Sequence, residues 1–287
     1  MKTCINTYSY LRRIQAGGFT LFDAVKHARD TGFECIEFSN LFNAGNANAD
    51  YAAELRGHCE KVGIKPVSYV EGADLITGSG GDQAKEVERL KGLIDVAAVI
   101  GVEKFRHDAT RGFAEHIVGR SFHDAIELIV PAIRELTVYA ESKGIKTMCE
   151  NHGFYIQESR RMEKLVRKVA HPNFGLLVDI GNFLCADDDP VKAVSVTGPY
   201  AFHVHLKDFL FKDGKDSFYS AEWLKTRGGN FIRGTVLGHG SVPLKQCIHT
   251  LRNFCGYMGS VSLEFEGPED TLAAIESSYK AMVDAIC

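Results

Sequence analysis

Lys143-Gly144-Ile145-Lys146-Thr147-Met148-Cys149-Glu150-Asn151-His152-Gly153 joins a helix end, a short strand and a polar strand end. Gly144 supplies the left-handed position that closes a helix, and the run after it reads as a buried strand. The same opening recurs as Thr31-Gly32-Phe33, Val62-Gly63-Ile64 and Ile100-Gly101-Val102. A repeat of roughly 30 to 45 residues fits one βα unit, and such alternation implies a parallel sheet. Working outward, strands are expected near 3–8, 33–38, 64–70, 102–107, 145–150, 174–179, 201–206 and 260–265. Helices are expected near 20–30, 50–62, 83–100, 121–143, 159–170, 189–197, 243–254 and 269–285. Strict alternation of eight strands with eight helices favours a single (β/α)8 TIM barrel, as one domain over 1–287, rather than an open doubly wound sheet. No Gly-x-Gly-x-x-Gly turn follows the first strand, which weighs against a dinucleotide fold.

The 287 residues, 45% hydrophobic and 24% charged, suit a globular protein with a sizeable core. A formal net charge of -4 gives no reason to expect nucleic acid or an anionic membrane as partner. The start has no apolar run of the secretory kind, and no stretch approaches the roughly 20 apolar residues of a membrane span. The eight cysteines are scattered without a Cys-x-x-Cys pair, so reduced thiols in the cytoplasm are expected, with Cys35, Cys149 and Cys185 as small core residues. A homo-oligomer is compatible with all of this.

In a barrel, polar residues at the C-terminal ends of strands read as catalytic. Here four consecutive strands end in metal-ligand types: Cys149-Glu150-Asn151-His152-Gly153, Val178-Asp179-Ile180-Gly181-Asn182, His203-Val204-His205-Leu206-Lys207-Asp208 and Leu263-Glu264-Phe265-Glu266. An acid inside an apolar strand is costly to bury unless it is paired or bound to a cation. The period of two places His203, His205 and Lys207 on one face of their strand, and Ser262, Glu264 and Glu266 on one face of theirs. Carboxylates with an imidazole suit one divalent ion, Mn²⁺, Mg²⁺, Co²⁺ or Zn²⁺. Glu266 is an alternative ligand to Glu264, and His203 reads as a partner one layer deeper than the ligands. Arg106 and Lys207 are expected at the mouth as anion-binding or rim groups, and His152 and His239 in Gly-flanked mouth loops. Glu37 and Glu71 are candidates for the far wall of the pocket. The long connection from Lys207 to Val242 reads as a lid or binding loop, with Trp223, Arg227 and Arg233 as its substrate contacts.

These motifs, with Phe105-Arg106-His107-Asp108 and Leu237-Gly238-His239-Gly240-Ser241-Val242-Pro243, resemble the xylose isomerase-like TIM barrel superfamily over nearly the whole chain. More narrowly they resemble its sugar phosphate isomerase/epimerase branch. The resemblance implies a metal set of Glu150, Asp179, His205 and Glu264, with Glu150 and Glu264 as the acid–base pair. The residues expected to meet the substrate are Arg106, His152, Asn182, Lys207, His239 and Glu266. The 3-epimerases and hydroxypyruvate isomerase of this branch carry a His where this chain has Asn182, and an Asn cannot shuttle a proton. The implied activity is metal-dependent isomerisation or epimerisation of a small sugar or polyol-derived substrate through an enediolate. The alternatives are a lyase resembling inosose dehydratase, which shares His205-Leu206-Lys207-Asp208, and a noncatalytic metal-bearing sugar-binding barrel.

Overall fold

The computed structural model describes residues 1–41, 49–113, 120–215 and 221–287. Eight parallel strands close into a barrel: β1 (Lys2–Asn6), β2 (Cys35–Ser39), β3 (Lys65–Glu71), β4 (Lys104–His107), β5 (Lys146–Glu150), β6 (Phe174–Asp179), β7 (Ala201–Leu206) and, last in the chain, β11 (Ser260–Leu263). Neighbours follow chain order, and β11 pairs with both β7 and β1 to seal the ring. Helices at Leu21–Thr31, Ala49–Val62, Gln83–Ile100, Phe122–Glu141, Ser159–Val169, Pro190–Thr197, Leu244–Asn253 and Thr271–Ile286 alternate with the strands. Their starts are chemically marked: Thr20 with Asp23 and Ser121 with Asp124 form capping boxes, while Asp82, Asp189 and Asp270 cap three others. At the other ends Gly32, Gly63, Gly101 and Gly144 all have positive φ, as the repeated helix–Gly–strand opening requires.

Alternate residues of each strand point outward into the shell of helices, where Ile5, Ile36, Phe105, Leu176 and Val204 join one continuous apolar core. The inward residues form layers. Val70, Met148 and Leu177 pack with Phe202 inside the barrel. A Cβ on Gly175 would lie 2.6 Å from the Phe202 ring, so the glycine makes room for that plug. Closer to the C-terminal mouth the inward residues are polar: Glu37, His203, Ser262 and Asn6, then Glu150, Asp179, His205 and Glu264, all buried.

Cys4 and Cys35 depart from the expectation of reduced thiols. They are directly paired across β1 and β2, with Cα atoms 4.6 Å apart, and form a disulfide. Parallel neighbours in register bring two inward cysteines within bonding reach, which spacing along the chain does not reveal. The other six cysteines are free, and Cys149 and Cys185 are buried, as expected of small core residues.

The Lys207–Val242 connection holds a small antiparallel sheet of β8 (Asp208–Lys212), β9 (Leu224–Lys225) and β10 (Phe231–Thr235), in the order β8-β10-β9. Residues 216–220 of it lie outside the described residues. β8 leaves directly from the top of β7, so the sheet stands at the C-terminal face of the barrel. Thr226, Gly228 and Asn230 bind the Asp187 carboxylate, and Arg227 pairs with Glu158, so the sheet braces the loops after β5 and β6.

Candidate functional site

A cavity of about 360 Å³ opens at the C-terminal mouth, lined among others by Tyr8, Arg106, Arg111, Glu150, His152, Lys207, Glu264 and Glu266. That is at the small end of the range for ligand sites, roughly 300–1,000 Å³. A slightly larger hollow of about 430 Å³, lined by Glu34, Arg56 and Lys65, is at the opposite end of the strands. It lacks a cluster of convergent buried groups, and in barrels that end serves stability.

Beneath the mouth, one donor atom each of Glu150, Asp179, His205 and Glu264 lies within 4.8 Å of the others. Asp179 and His205 are wholly buried, while Glu150 and Glu264 reach the cavity. His205 Nδ1 stands 3.9 Å from Glu150 Oε1, 3.9 Å from Asp179 Oδ2 and 3.7 Å from Glu264 Oε2. These gaps are too long for hydrogen bonds. They match the spacing of neighbouring ligands, about 3–4 Å when each sits about 2.0–2.3 Å from one ion. His205 Nδ1 and Asp179 Oδ2 have no hydrogen-bond partner although both are buried; the nearest cation to Asp179 Oδ2 is Lys207 Nζ, an ion-pair contact at 3.4 Å. Two orphaned donor atoms facing each other across two further carboxylates fit a divalent cation.

Each of the four side chains is held from behind. Asp179 Oδ1 accepts from the backbone N–H of Gly181 at 2.8 Å and Asn182 at 3.0 Å, which turns Oδ2 toward the cluster. Glu150 Oε1 accepts from Asn182 Nδ2 at 2.9 Å, and its Oε2 lies 2.5 Å from Arg106 Nη2. Glu264 Oε1 accepts from Asn6 Nδ2 at 3.0 Å, and its Oε2 lies 2.5 Å from Lys207 Nζ. His205 Nε2 contacts Glu37 Oε1 at 2.5 Å.

The charges answer one another. Burial alone would raise the Glu264 carboxyl, but Lys207 and His205 outweigh it and hold it well below the usual range. Burial would strip the Lys207 ammonium, yet Glu264, Glu266 and Asp179 keep it charged. Against the same burial, Glu37 and Glu264 raise His205 well above an ordinary histidine. Asp179 and Glu266 are both pushed up, chiefly by burial. Asp108, against its burial, is held at about 2 by Arg106 and His152.

The structure sorts the expected site residues. Arg106, His152, Lys207 and Glu266 line the cavity with Glu150 and Glu264. Arg106 Nη2 bridges Glu150 and Asp108, and His152 Nδ1 lies 3.1 Å from Asp108. Glu266 stays outside the four-residue cluster and sits 3.6 Å from Lys207. Asn182 is not a lining residue; its amide is spent on Glu150. His239 is not brought to the cavity. It is exposed, and its neighbours Gly238 and Gly240 donate backbone N–H groups to Asp208, with Phe209 and Val242 as further donors. A Cβ on Gly240 would collide with the Asp208 carboxylate, so that glycine motif is the cradle of a buried acid.

Glu71 turns away from the pocket, where its carboxylate accepts from the Tyr69 hydroxyl. Glu37 points inward but lies under the cluster rather than on the wall. Of the described residues in the Lys207–Val242 segment, Lys207 alone lines the cavity. Arg227 is committed to Glu158, and Arg233 to Glu222 and the face of Trp223. Sequence reading missed Asn6 altogether and misplaced Glu37. An acid inside the apolar run Cys35-Ile36-Glu37-Phe38 is the same signal that marked Glu150.

The description "xylose isomerase-like TIM barrel" matches residues 25–284. The chain belongs to that family. Among solved structures, this xylose isomerase-like barrel is similar to the IOLI protein with a binding zinc atom, at 18% identity and TM-score 0.78, over 100% of this chain and 98% of that one. It is similar to the probable 3-DHS dehydratase AsbF of Bacillus anthracis, at 20% identity and TM-score 0.75, over 99% of both chains. It is also similar to the 3-keto-D-glucoside 4-epimerase YcjR of E. coli, at 14% identity and TM-score 0.72, over 99% of both. At such identities the likeness establishes the fold. No curated protein sequence matches the chain.

Proposed function

We propose that this protein is a metal-dependent isomerase or epimerase of a small sugar or sugar phosphate. It would work as one barrel domain with Glu150, Asp179, His205 and Glu264 as the ligands of a single divalent ion. The observation that carries the reading is the pair of orphaned buried atoms, His205 Nδ1 and Asp179 Oδ2, facing Glu150 and Glu264 at the base of the cavity. When bound, such an ion supplies Lewis-acid stabilisation of negative charge on the substrate oxygens beside the reacting carbon.

The chain's own residues do the rest. Glu264, held ionised by Lys207 and His205 and fixed at Oε1 by Asn6, takes the carbon-bound proton. Glu150, on the opposite side of the cluster, delivers a proton taken up from solvent to the other face of the substrate, and Glu264 releases its own to solvent to complete the cycle. Lys207, kept charged, steadies anionic character near Glu264 rather than giving up a proton. Arg106 and His152 bind substrate oxygens along the β4 and β5 wall, and Tyr8 and Glu266 close the wall opposite. Neighbours named as an L-ribulose 3-epimerase and a D-psicose 3-epimerase support this reading.

A lyase is the second reading, favoured by Lys207 within the pattern shared with inosose dehydratase and by the dehydratase among the structural neighbours. The test is a panel of ketoses, inososes and their phosphates in D₂O with Mn²⁺. Solvent deuterium should enter a substrate C–H position, and product of unchanged mass marks an isomerase where loss of water marks a lyase. Glu150→Gln and Glu264→Gln should fold and each lose at least about 10²-fold in kcat. Near-normal turnover in either would refute the two-glutamate scheme.

A further inference from the structure

Two polar residues on the first two strands reach cluster residues at the ends of the last two. Asn6 is wholly buried, and its Oδ1 is occupied by the Ser39 hydroxyl at 2.7 Å and the Tyr8 N–H at 2.9 Å. That fixes the amide orientation, because the two Nδ2 hydrogens must then face the other way. They meet Glu37 Oε1 at 2.8 Å and Glu264 Oε1 at 3.0 Å. Glu37, also wholly buried, places the same Oε1 2.5 Å from His205 Nε2 and its Oε2 3.0 Å from His203 Nε2. His203 is oriented in turn from below. Its Nδ1 faces Lys104 Nζ at 3.2 Å, so its ring N–H sits on Nε2, toward Ser262 Oγ at 2.7 Å and Glu37.

We propose that Glu37, steadied by Asn6, is a positioning residue that fixes the His205 ring with its proton on Nε2 and thereby presents Nδ1 to the ion. The inference rests on the metal reading above. A buried carboxylate is expensive unless its partners need it. Here the partner that gains is the one imidazole of the cluster, whose opposite nitrogen is the orphaned atom. A carboxylate behind a ligating histidine sets the tautomer and the ring angle and strengthens the nitrogen as a donor. Asn6 ties this arrangement to Glu264, so β1 and β2, which supply no ligand, control the aim of two.

The test uses the full chain stripped with EDTA and titrated with Zn²⁺ against a chromophoric chelator, with nitrogen-15 histidine NMR of the Zn²⁺ form. Wild type should bind Zn²⁺ with one histidine coordinated through Nδ1 and protonated on Nε2. Glu37→Gln should bind about 10–100-fold more weakly and lose that nitrogen pattern. Asn6→Ala should weaken binding while keeping it, because Asn6 steadies Glu37 and Glu264 without itself facing the ion. A folded Glu37→Gln protein with wild-type affinity and the same histidine pattern overturns the proposal. So does wild-type coordination through Nε2, a result that needs no variant and decides the matter if Glu37→Gln fails to fold. A wild type that takes up no Zn²⁺ overturns the metal reading itself, and the inference falls with it; the wild-type titration tells the two failures apart.

Discussion

Replacing Lys207 by Met keeps most of the apolar stem and deletes an ammonium 2.5 Å from Glu264, 3.4 Å from Asp179 and 3.6 Å from Glu266. The side chain is 5% exposed, so water cannot take its place. Removing one partner of a buried ion pair typically costs about 3–5 kcal/mol, because the remaining charge is left uncompensated. At about 2.1 cal/mol/K per residue, a chain of 287 residues has an unfolding entropy near 0.6 kcal/mol/K. The metal-free variant should therefore melt about 5–8 °C below the metal-free wild type. A divalent ion restores positive charge at the same carboxylates, so the rise in Tm on adding Mn²⁺ should be larger in Lys207→Met than in wild type. Differential scanning calorimetry with EDTA and with saturating Mn²⁺ measures both. An unchanged metal-free Tm, or an equal loss with and without the ion, would refute this account and leave only lost packing.

His107 is wholly buried and pushed down to about 4, chiefly by burial. Between its unfolded value of about 6.5 and that pKa only the unfolded chain binds the proton, so stability should fall by about 3 kcal/mol as pH drops through this window. Urea unfolding from pH 7 to 4.5 should show a flatter profile for His107→Gln than for wild type, and parallel profiles would remove His107 as the cause. Asn182→Ala deletes the donor to Glu150 Oε1, so metal affinity and kcat should drop by the equivalent of about 1–3 kcal/mol, with substrate KM nearly unchanged. A KM rise without loss of metal affinity would return Asn182 to the substrate.

The barrel was legible because its punctuation is local. Glycine after the first four helices and an apolar run after each of those glycines mark one βα unit at a time, and their order admits few closures. The four clustered residues were legible for a related reason, since an acid or imidazole ending an apolar strand stands out against its neighbours. What escaped depends on the phase between strands. Glu37 and Glu71 look alike in sequence, yet a register shift between Ile36 and Glu37 accompanies one pointing inward and the other turning to Tyr69. The Cys4–Cys35 pairing is likewise a matter of register. His239 misled because a glycine-flanked histidine looks like a mouth loop, when the glycines are there for Asp208. Arg227, Arg233 and Trp223 were read as free for substrate, but Glu158, Glu222 and one another take them.

The bond between Asn6 and Glu264 spans 258 positions and crosses the junction where β11 meets β1. All four clustered groups come from the second half of the chain, whereas the residues that aim two of them come from its first 37 positions. A nascent chain that has made seven strands thus lacks Glu264, and one truncated past Asn6 lacks its aim. Contacts so distant in sequence form late, after the entropy of closing the ring has been overcome. An ion held by this centre would tie the last strand to the fifth, sixth and seventh, slowing its departure from the ring more than it speeds its arrival.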